Sequence, residues 1–579
     1  MPATKTFSRN CYLIAAAWIL LTGFFYYPKW NKPTSEASIS WDINGYYFYL
    51  PATLIYHDLK QQAFKDSITQ RYNPTPGGYQ SYHDSASGNM VMKYSGGMAF
   101  AYLPFFAAGH AVALMSHYPA DGYSPPYQYA IGIGSLLVSL LGLHLLRRLL
   151  DRYFSPYATG IVLLLYVFGT NYLEYAAITN AMTHSYLFTM YGALLLLTIR
   201  YYEAPTALRA AALGLLVGWM ALIRPTEIWS AFLPLAWGIG SARELRMRVQ
   251  LLVANWRHLL LFAASAAAVG SIQLFYWKYV TGHWLEYSYQ GEGFDFGSPH
   301  YAQCLWGFQK GWFVYTPLMV LSVIGFAALW RKDRGLFWPV LLFTLGFTYL
   351  AFSWSIWWYG GGLGQRALVQ LYPVLAFPLA ALLERARRRW MQGLLAAFSL
   401  LCITYNLWLH HQGHRGGLLE PEFMTYGYWK KIVFRGSVPF ETRKLLDAEY
   451  EYEGTPACAE TTISRNDTLV LPGVAGYTDV GISRPLMGKG WVRTYITATT
   501  ADPEADIWKQ HMLYMHEIKD GATIGINQLR VERLLPGGGT RTLWLDLKLH
   551  DERDSVKVFF YNPGTPKQLI ITAIKTVAF

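Results

Sequence analysis

Residues 127–146 read YQYAIGIGSLLVSLLGLHLL, twenty positions without a charged residue, and Arg147 and Arg148 follow at once. About 20 apolar residues make a helix long enough to cross the hydrocarbon core of a bilayer. Arginines at the end of such a helix mark a cytoplasmic flank. Working outward, similar runs lie near 11–27, 156–173, 184–201, 207–223, 227–241, 258–278, 313–330, 336–353, 367–383 and 391–409. Only 15% of the chain is charged and 53% is hydrophobic, whereas a soluble domain is roughly 25% charged. The net charge of +12 does not point to nucleic acid, because the Lys and Arg residues cluster between apolar runs. The four cysteines form no CxxC or Cys/His spacing, so neither a zinc site nor a disulfide framework is indicated. Lys5 and Arg9 precede the first run, which lacks a small-residue cleavage site and reads as an uncleaved anchor.

One further run, 97–117, contains Pro104, Gly109 and His110, and the basic clusters decide its reading. With the N-terminus cytoplasmic and 97–117 not spanning, five basic clusters fall inside. They centre on Arg147 to Arg152, Arg200 with Arg209, Arg243 to Arg257, Arg331 to Arg334, and Arg385 to Arg389. A spanning 97–117 would put all of them outside, so it reads as an interfacial or re-entrant helix and the chain has about eleven spans. The stretches 28–126, 174–183, 281–312 and everything after 410 are then non-cytoplasmic, as is a turn at 354–366. The expected location is a bacterial inner (plasma) membrane with the C-terminal region on the periplasmic side.

After residue 410 alternation replaces apolar runs. Leu543, Leu545, Leu547 and Leu549 face one side of a strand and Trp544, Asp546, Lys548 and His550 the other. Val556, Val558 and Phe560 repeat the pattern, and 491–500, 511–519, 523–535 and 568–577 are further strand candidates. Turn signals stand at Pro536 to Gly539 and at Asn562-Pro563-Gly564. Three segments result: a membrane domain over 1–410, a linker or docking segment over 411–454, and a β-sandwich over 455–579. Trp491, Trp544 and Tyr561 are aromatic candidates for holding a glycan there.

Several polar residues fall on the non-cytoplasmic face. Asp42, in Ser40-Trp41-Asp42-Ile43-Asn44-Gly45-Tyr46, lies just past the first span; on this segment alone it reads as the cap of a helix beginning near Gly45. Lys93, before Tyr94, reads equally as a phosphate ligand or a snorkelling lysine. His184 after Thr183 reads as a packed histidine. Arg224 and Arg366 sit at outer helix ends, where intramembrane charge is functional by default. Glu174, Glu292 and Asp295 are acidic candidates. A carboxylate among cations suits transfer of a sugar from a polyprenyl phosphate. The base takes the acceptor proton while cations stabilise the departing phosphate. A single displacement inverts the anomeric centre and needs no carboxylate nucleophile.

Residues 1–410 resemble the GT-C glycosyltransferases, especially bacterial relatives of protein O-mannosyltransferases and of the lipid A aminoarabinose transferase. The resemblance rests on Trp41-Asp42, on Lys93-Tyr94 followed by Pro104, and on Ala181-Met182-Thr183-His184-Ser185-Tyr186. Leu222-Ile223-Arg224-Pro225, Gly311 through Pro317, and Trp357-Trp358-Tyr359-Gly360-Gly361 through Arg366 extend it. It implies that Asp42 is catalytic, that donors are sugars on polyprenyl phosphate, and that the active site is on the outer face. Many members carry an aspartate in the second outside loop; here Thr183 and His184 stand nearest, with Glu174 upstream. The strand pattern of the tail is similar to that of jelly-roll carbohydrate-binding modules.

The expected function is therefore a hexosyl- or pentosyltransferase moving a sugar to a hydroxyl on a glycan, lipid or protein. Lys93, Arg224 and Arg366 would meet the donor phosphate, with Tyr94, His184, Glu174 and Glu292 as further candidates. No cofactor is expected, a divalent metal stays open, and the partners are membrane lipid rather than nucleic acid. A lipid-linked glycan transporter or flippase, or a non-catalytic envelope assembly protein, are the alternatives. Transporters usually carry paired repeats with broken helices at mid-membrane, and no such repeat is visible.

Overall fold

A computed structural model describes residues 3–76, 80–471, 473–483, 488–500, 509–535, 539–551 and 553–579. The chain divides into two compact units, one running to His414 and one from Arg415 to Phe579.

Among the described residues seven helices are long and apolar enough to cross a membrane. They are Thr6–Asn31, Gly97–Leu114, Pro125–Leu150, Trp256–Thr281, Arg334–Phe352, Arg366–Arg385 and Arg389–Gly416. Six coincide with runs read as spans. The seventh, Gly97–Leu114, is the run read as interfacial: it is one helix with Pro104 inside it, and Gly109 packs it closely on Pro125–Leu150. The other five runs are shorter, more polar or interrupted. Pro156–Gly169 and Ala207–Ile223 are apolar but short, Thr183–Glu203 carries more polar side chains, and Pro317 separates Trp312–Tyr315 from Met319–Lys332.

The run 227–241 is not one helix. Pro225–Ala231 is a 3-10 helix and only Phe232–Ala236 is α-helical. Pro225 opens the 3-10 segment at its first position, where its missing donor is tolerated, and Pro234 lies inside the short α-helical piece. The segment nevertheless runs alongside Arg334–Phe352. Trp229 Nε1 donates to the Phe343 carbonyl (3.2 Å) and the Gly238 amide to the Gly335 carbonyl (3.1 Å). Irregular backbone at membrane depth is tolerated where protein surrounds it.

Ala207–Ile223 and Trp256–Thr281 approach closely through Gly214 and Gly218, a small-xxx-small pair. A Cβ on Gly214 would overlap the Phe262 carbonyl oxygen, and one on Gly218 would lie 2.6 Å from that of Ala266. Both obstacles are backbone, so the helices would have to part. Gly214→Val is expected to lower stability by about 1–3 kcal/mol, read as a fall in the thermal midpoint of the detergent-solubilised protein. An unchanged midpoint would contradict this packing.

The loop after the first helix holds short helices Trp41–Tyr47, Tyr49–Leu54 and Lys65–Tyr72 and a hairpin of β1 (Ser81–Asp84) and β2 (Asn89–Met92), with Ser81 opposite Met92. The hairpin delivers Lys93 and Tyr94 just before Gly97–Leu114 begins.

The second unit contains β3 (Glu460–Arg465), β4 (Leu469–Leu471), β5 (Gly476–Ser483), β6 (Trp491–Thr500), β7 (Met512–Lys519), β8 (Ala522–Arg530), β9 (Gly539–Lys548), β10 (Ser555–Asn562) and β11 (Leu569–Ala578). One sheet has the order β5-β10-β7-β8 and the other β3-β11-β6-β9, with β4 also on β11. Both contribute to one buried cluster, including Val492, Ile496, Leu545 and Leu547 from one and Leu513, Met515, Val558 and Phe560 from the other. Leu543, Leu545, Leu547 and Leu549 are buried as their alternation indicates, but so is Asp546 on the opposite face. Arg493 accounts for this, since its Nε and Nη2 bond the Asp546 carboxylate at 2.5 and 3.0 Å. Of the turn at Pro536 to Gly539, residues 536–538 lie outside the described residues.

Residues 415–454 fold onto this unit. The Asp447 carboxylate takes Arg530 and, at 2.9 Å, Arg533, while the Glu449 amide donates to Asn527 Oδ1. Trp491 packs on Tyr450 and Tyr452, and Tyr561 on Tyr477.

Candidate functional site

Trp41–Tyr47 starts about four residues before the helix expected near Gly45, with Ser40 in the capping position. Trp41 adopts a positive φ of 50°. Asp42 therefore lies in the first turn and caps nothing. Its carboxylate turns to two partners distant in sequence. Arg366 Nη2 donates to Oδ2 at 2.5 Å and the Tyr94 hydroxyl to Oδ1 at 2.7 Å. Arg366 opens the 3-10 segment Arg366–Leu371 after the glycine-rich turn, and its Nη1 donates to the Gly361 carbonyl at 3.2 Å.

Around this pair the tyrosines form a wall. Tyr46 stacks on Tyr94 with centroids 4.4 Å apart, and Tyr289 meets Tyr94 edge-on at 5.9 Å. The Lys93 ammonium lies 5.8 Å from the Tyr94 ring and 5.6 Å from Tyr289, and bonds Glu292 Oε1 at 2.6 Å. The Arg224 guanidinium lies 5.5 Å from the Tyr359 ring, a cation–π distance. Asp42, Lys93, Tyr94, Arg224, Glu292 and Arg366 thus gather at one end of the helical unit. Three cations face the carboxylates of Asp42 and Glu292, and buried Glu227 lies within electrostatic reach of Arg224.

His184 is fully buried on the adjoining layer. Its Nδ1 lies 2.8 Å from Gln370 Oε1, on the segment that begins at Arg366. Gln370 Nε2 donates to Glu227 Oε1 at 2.6 Å, and the Tyr191 hydroxyl to Glu227 Oε2 at 2.5 Å. Glu174 is engaged elsewhere. Its oxygens take the Thr179 hydroxyl (2.6 Å) and His414 Nε2 (2.7 Å), and the His414 ring lies 4.6 Å from that of Tyr27. Burial works against its charge, but His414 holds the Glu174 carboxyl down at about 2. Asp295 accepts amides of its own loop from Gly297 and Ser298.

Tyr46, Glu227, Tyr289, Tyr359 and Gln370 were not singled out from sequence. Glu227 carried a signal, because an acidic residue inside an apolar run is a functional candidate in its own right. Tyr46 and Tyr359 stood inside quoted motifs without a role, and Tyr289 carried no signal among so many aromatics. Among the described residues, no group of three His, Cys, Asp or Glu side chains is placed to hold a metal ion.

Burial opposes ionisation of Asp42, but the Arg366 cation, the Tyr94 and Arg366 hydrogen bonds and nearby Lys93 outweigh it. Together they hold the carboxyl below its usual range. A lowered pKa means that the charged form, and the stability its partners lend, is present above the ordinary carboxylate value. It is lost only as pH falls through the lowered one. Any activity that needs ionised Asp42 should keep its acid limb below that of a free carboxylate. Tyr94→Phe, which deletes one stabilising bond, should move the limb in kcat/KM to higher pH; an unmoved limb would dissociate Asp42 from it.

The chain matches no protein-family model, and no curated protein matches it.

Proposed function

We propose that this protein is a membrane glycosyltransferase that moves a sugar from a polyprenyl-phosphate donor to a hydroxyl acceptor. The observation that carries the reading is an ionised carboxylate, Asp42, held among Arg366, Lys93 and Arg224 with a tyrosine wall beside it. The acceptor hydroxyl gives its proton to Asp42 while its oxygen bonds to the anomeric carbon. The bond from that carbon to the phosphate oxygen breaks, and its electron pair leaves with the phosphate. Fixed cations favour a departing phosphate in a water-poor site. One displacement inverts the anomeric centre, consistent with a site whose second carboxylate, Glu292, is occupied by Lys93.

Arg366 and Asp42 neutralise one another before substrate binds. A donor phosphate competes for Arg366, removes the cation that depresses Asp42, and raises its basicity when a base is needed. On this reading the membrane domain has about eleven crossings, with 225–241 among them as a broken one. The two C-terminal sheets form a sandwich, and both they and the site lie on the periplasmic side of a bacterial inner membrane. The clustering of basic loops supports that orientation.

Two measurements test the proposal. Radiolabel is expected to pass from a polyprenyl-phosphate sugar to acceptor in proteoliposomes; movement of intact lipid-linked sugar without bond cleavage would favour a flippase instead. A reporter active only in the cytoplasm, fused at Phe579, should stay silent; an active fusion would reverse the orientation.

A further inference from the structure

Arg224 and Arg366 each stand at the head of a 3-10 segment, Pro225–Ala231 and Arg366–Leu371. Each segment also carries one buried polar side chain that the chemistry at Asp42 does not use. Glu227 lies three residues beyond Arg224, and its amide donates to the Arg224 carbonyl at 2.8 Å. That bond closes one turn and fixes Glu227 just behind the arginine. Gln370 stands four residues beyond Arg366. Gln370 Nε2 donates to Glu227 Oε1 at 2.6 Å, so a side-chain bond bridges the two segments.

One helix holds both ends of the bridge. His184 and Tyr191 are seven residues apart on Thr183–Glu203, and so lie on one face of it. Tyr191 donates to the second oxygen of Glu227 at 2.5 Å, and His184 Nδ1 lies 2.8 Å from Gln370 Oε1. With Gln370 donating to Glu227, its Oε1 is left to accept from His184, whose proton is then on Nδ1. The result is a closed chain, His184 to Gln370 to Glu227 to Tyr191, in which no member is more than 1% exposed.

Apolar side chains of the same volume are often no less stable in such a layer. What hydrogen bonds add is one fixed distance, because a buried polar chain that loses a member is costly. The distance matters at the front of the two segments. Arg224 and Arg366 both lie within electrostatic reach of Tyr46 and of Tyr359, so the two guanidiniums border the same space. Like charges repel there, and a bond that joins the segments behind them opposes their parting.

We propose that Glu227 and Gln370 are positioning residues, which hold Arg224 and Arg366 at the separation that lets both guanidiniums meet a single phosphate group. The ligand rests on the transferase reading above; the bridge does not. Full-length protein in nanodiscs is titrated with undecaprenyl phosphate and with undecaprenol, and sugar transfer is followed in parallel. The wild type is expected to bind the phosphate about tenfold or more tightly than the alcohol, the scale of a hydrogen bond to a charged group. Gln370→Glu sets carboxyl against carboxyl and should erase that preference while undecaprenol binds as before. Its kcat/KM for the donor should fall about 10²-fold, the cost of a misplacement of roughly 1 Å. Glu227→Gln combined with Gln370→Glu remakes every bond of the chain with the bridge reversed, Tyr191 and His184 donating as before, and should bring the preference back. A merely structural role would weaken both ligands together and give no such recovery. If Gln370→Glu fails to fold, Glu227→Asp, one methylene shorter, should still stretch the bridge and lower the preference for phosphate alone. The proposal is overturned if the preference survives Gln370→Glu and Glu227→Asp, or if the folded double variant does not regain it; either result leaves the transferase reading standing. Absence of transfer beside a bridge-dependent preference would remove the transferase and keep the bridge. Absence of any preference in the wild type would overturn both.

Discussion

Asp42→Asn is expected to cut sugar transfer by about 10²-fold or more, the usual loss for a positioned general base, while the protein folds and binds donor nearly as before. The amide keeps the shape of the carboxylate but cannot take the acceptor proton. Its one oxygen can accept from Arg366 and its NH2 can donate to the Tyr94 hydroxyl, so the two contacts, 2.5 and 2.7 Å in the wild type, each keep a partner. Helix capping offers no rival explanation, because Ser40 occupies the capping position and asparagine caps about as well as aspartate. Single-turnover transfer in proteoliposomes, beside a thermal midpoint, separates chemistry from folding. Near-normal turnover by a well-folded variant would remove Asp42 as the base.

Arg366→Lys should be nearly as damaging, lowering kcat/KM for the donor by about 10²–10³-fold, the range for losing one fixed transition-state donor. The guanidinium reaches the Asp42 carboxylate with one nitrogen and the Gly361 carbonyl with the other. A lysine keeps the charge but offers a single compact ammonium on a flexible stem and cannot hold both. The predicted signature is a weakened dependence on donor concentration together with a lower maximal rate. Wild-type donor kinetics in Arg366→Lys would show that the phosphate is held elsewhere, with Lys93 and Arg224 the next positions to vary.

The convergence of Asp42 with Arg366, 324 positions apart, follows from reasoning the sequence already permits. The clustering of basic loops places both at the ends of apolar runs away from the arginine clusters, which led to the expectation that one face of the bundle would collect them. The leucines of β9 were legible for a similar reason, since strict alternation has a single structural meaning. Other features lay beyond such patterns. Hydropathy counts composition and not helix continuity, so 227–241 read as a span although residues to Ala231 wind as a 3-10 helix and only Phe232–Ala236 is α-helical. Strands β3 and β5 expose many residues on both faces and give no alternation to detect. Asp546 read as solvent-facing because its partner, Arg493, sits 53 positions away on a neighbouring strand. Residues 415–454 are short in periodic signal, and their place on the C-terminal unit depends on Asp447, Arg530 and Arg533 meeting in space.

The break after Arg224 also governs how far that side chain reaches. A 3-10 helix rises about 2.0 Å per residue and an α-helix about 1.5 Å. The seven residues Pro225–Ala231 therefore cover about 14 Å, where an α-helix would cover nearer 10 Å. Its far end is tied to Gly335 through Gly238, so the thinner winding sets Arg224 about 4 Å farther along the segment than an α-helix of the same residues would. Rewinding this segment as regular helix would shorten that reach and disturb the 5.5 Å contact of the guanidinium with the Tyr359 ring. The 3-10 winding thus acts as a spacer for one cation.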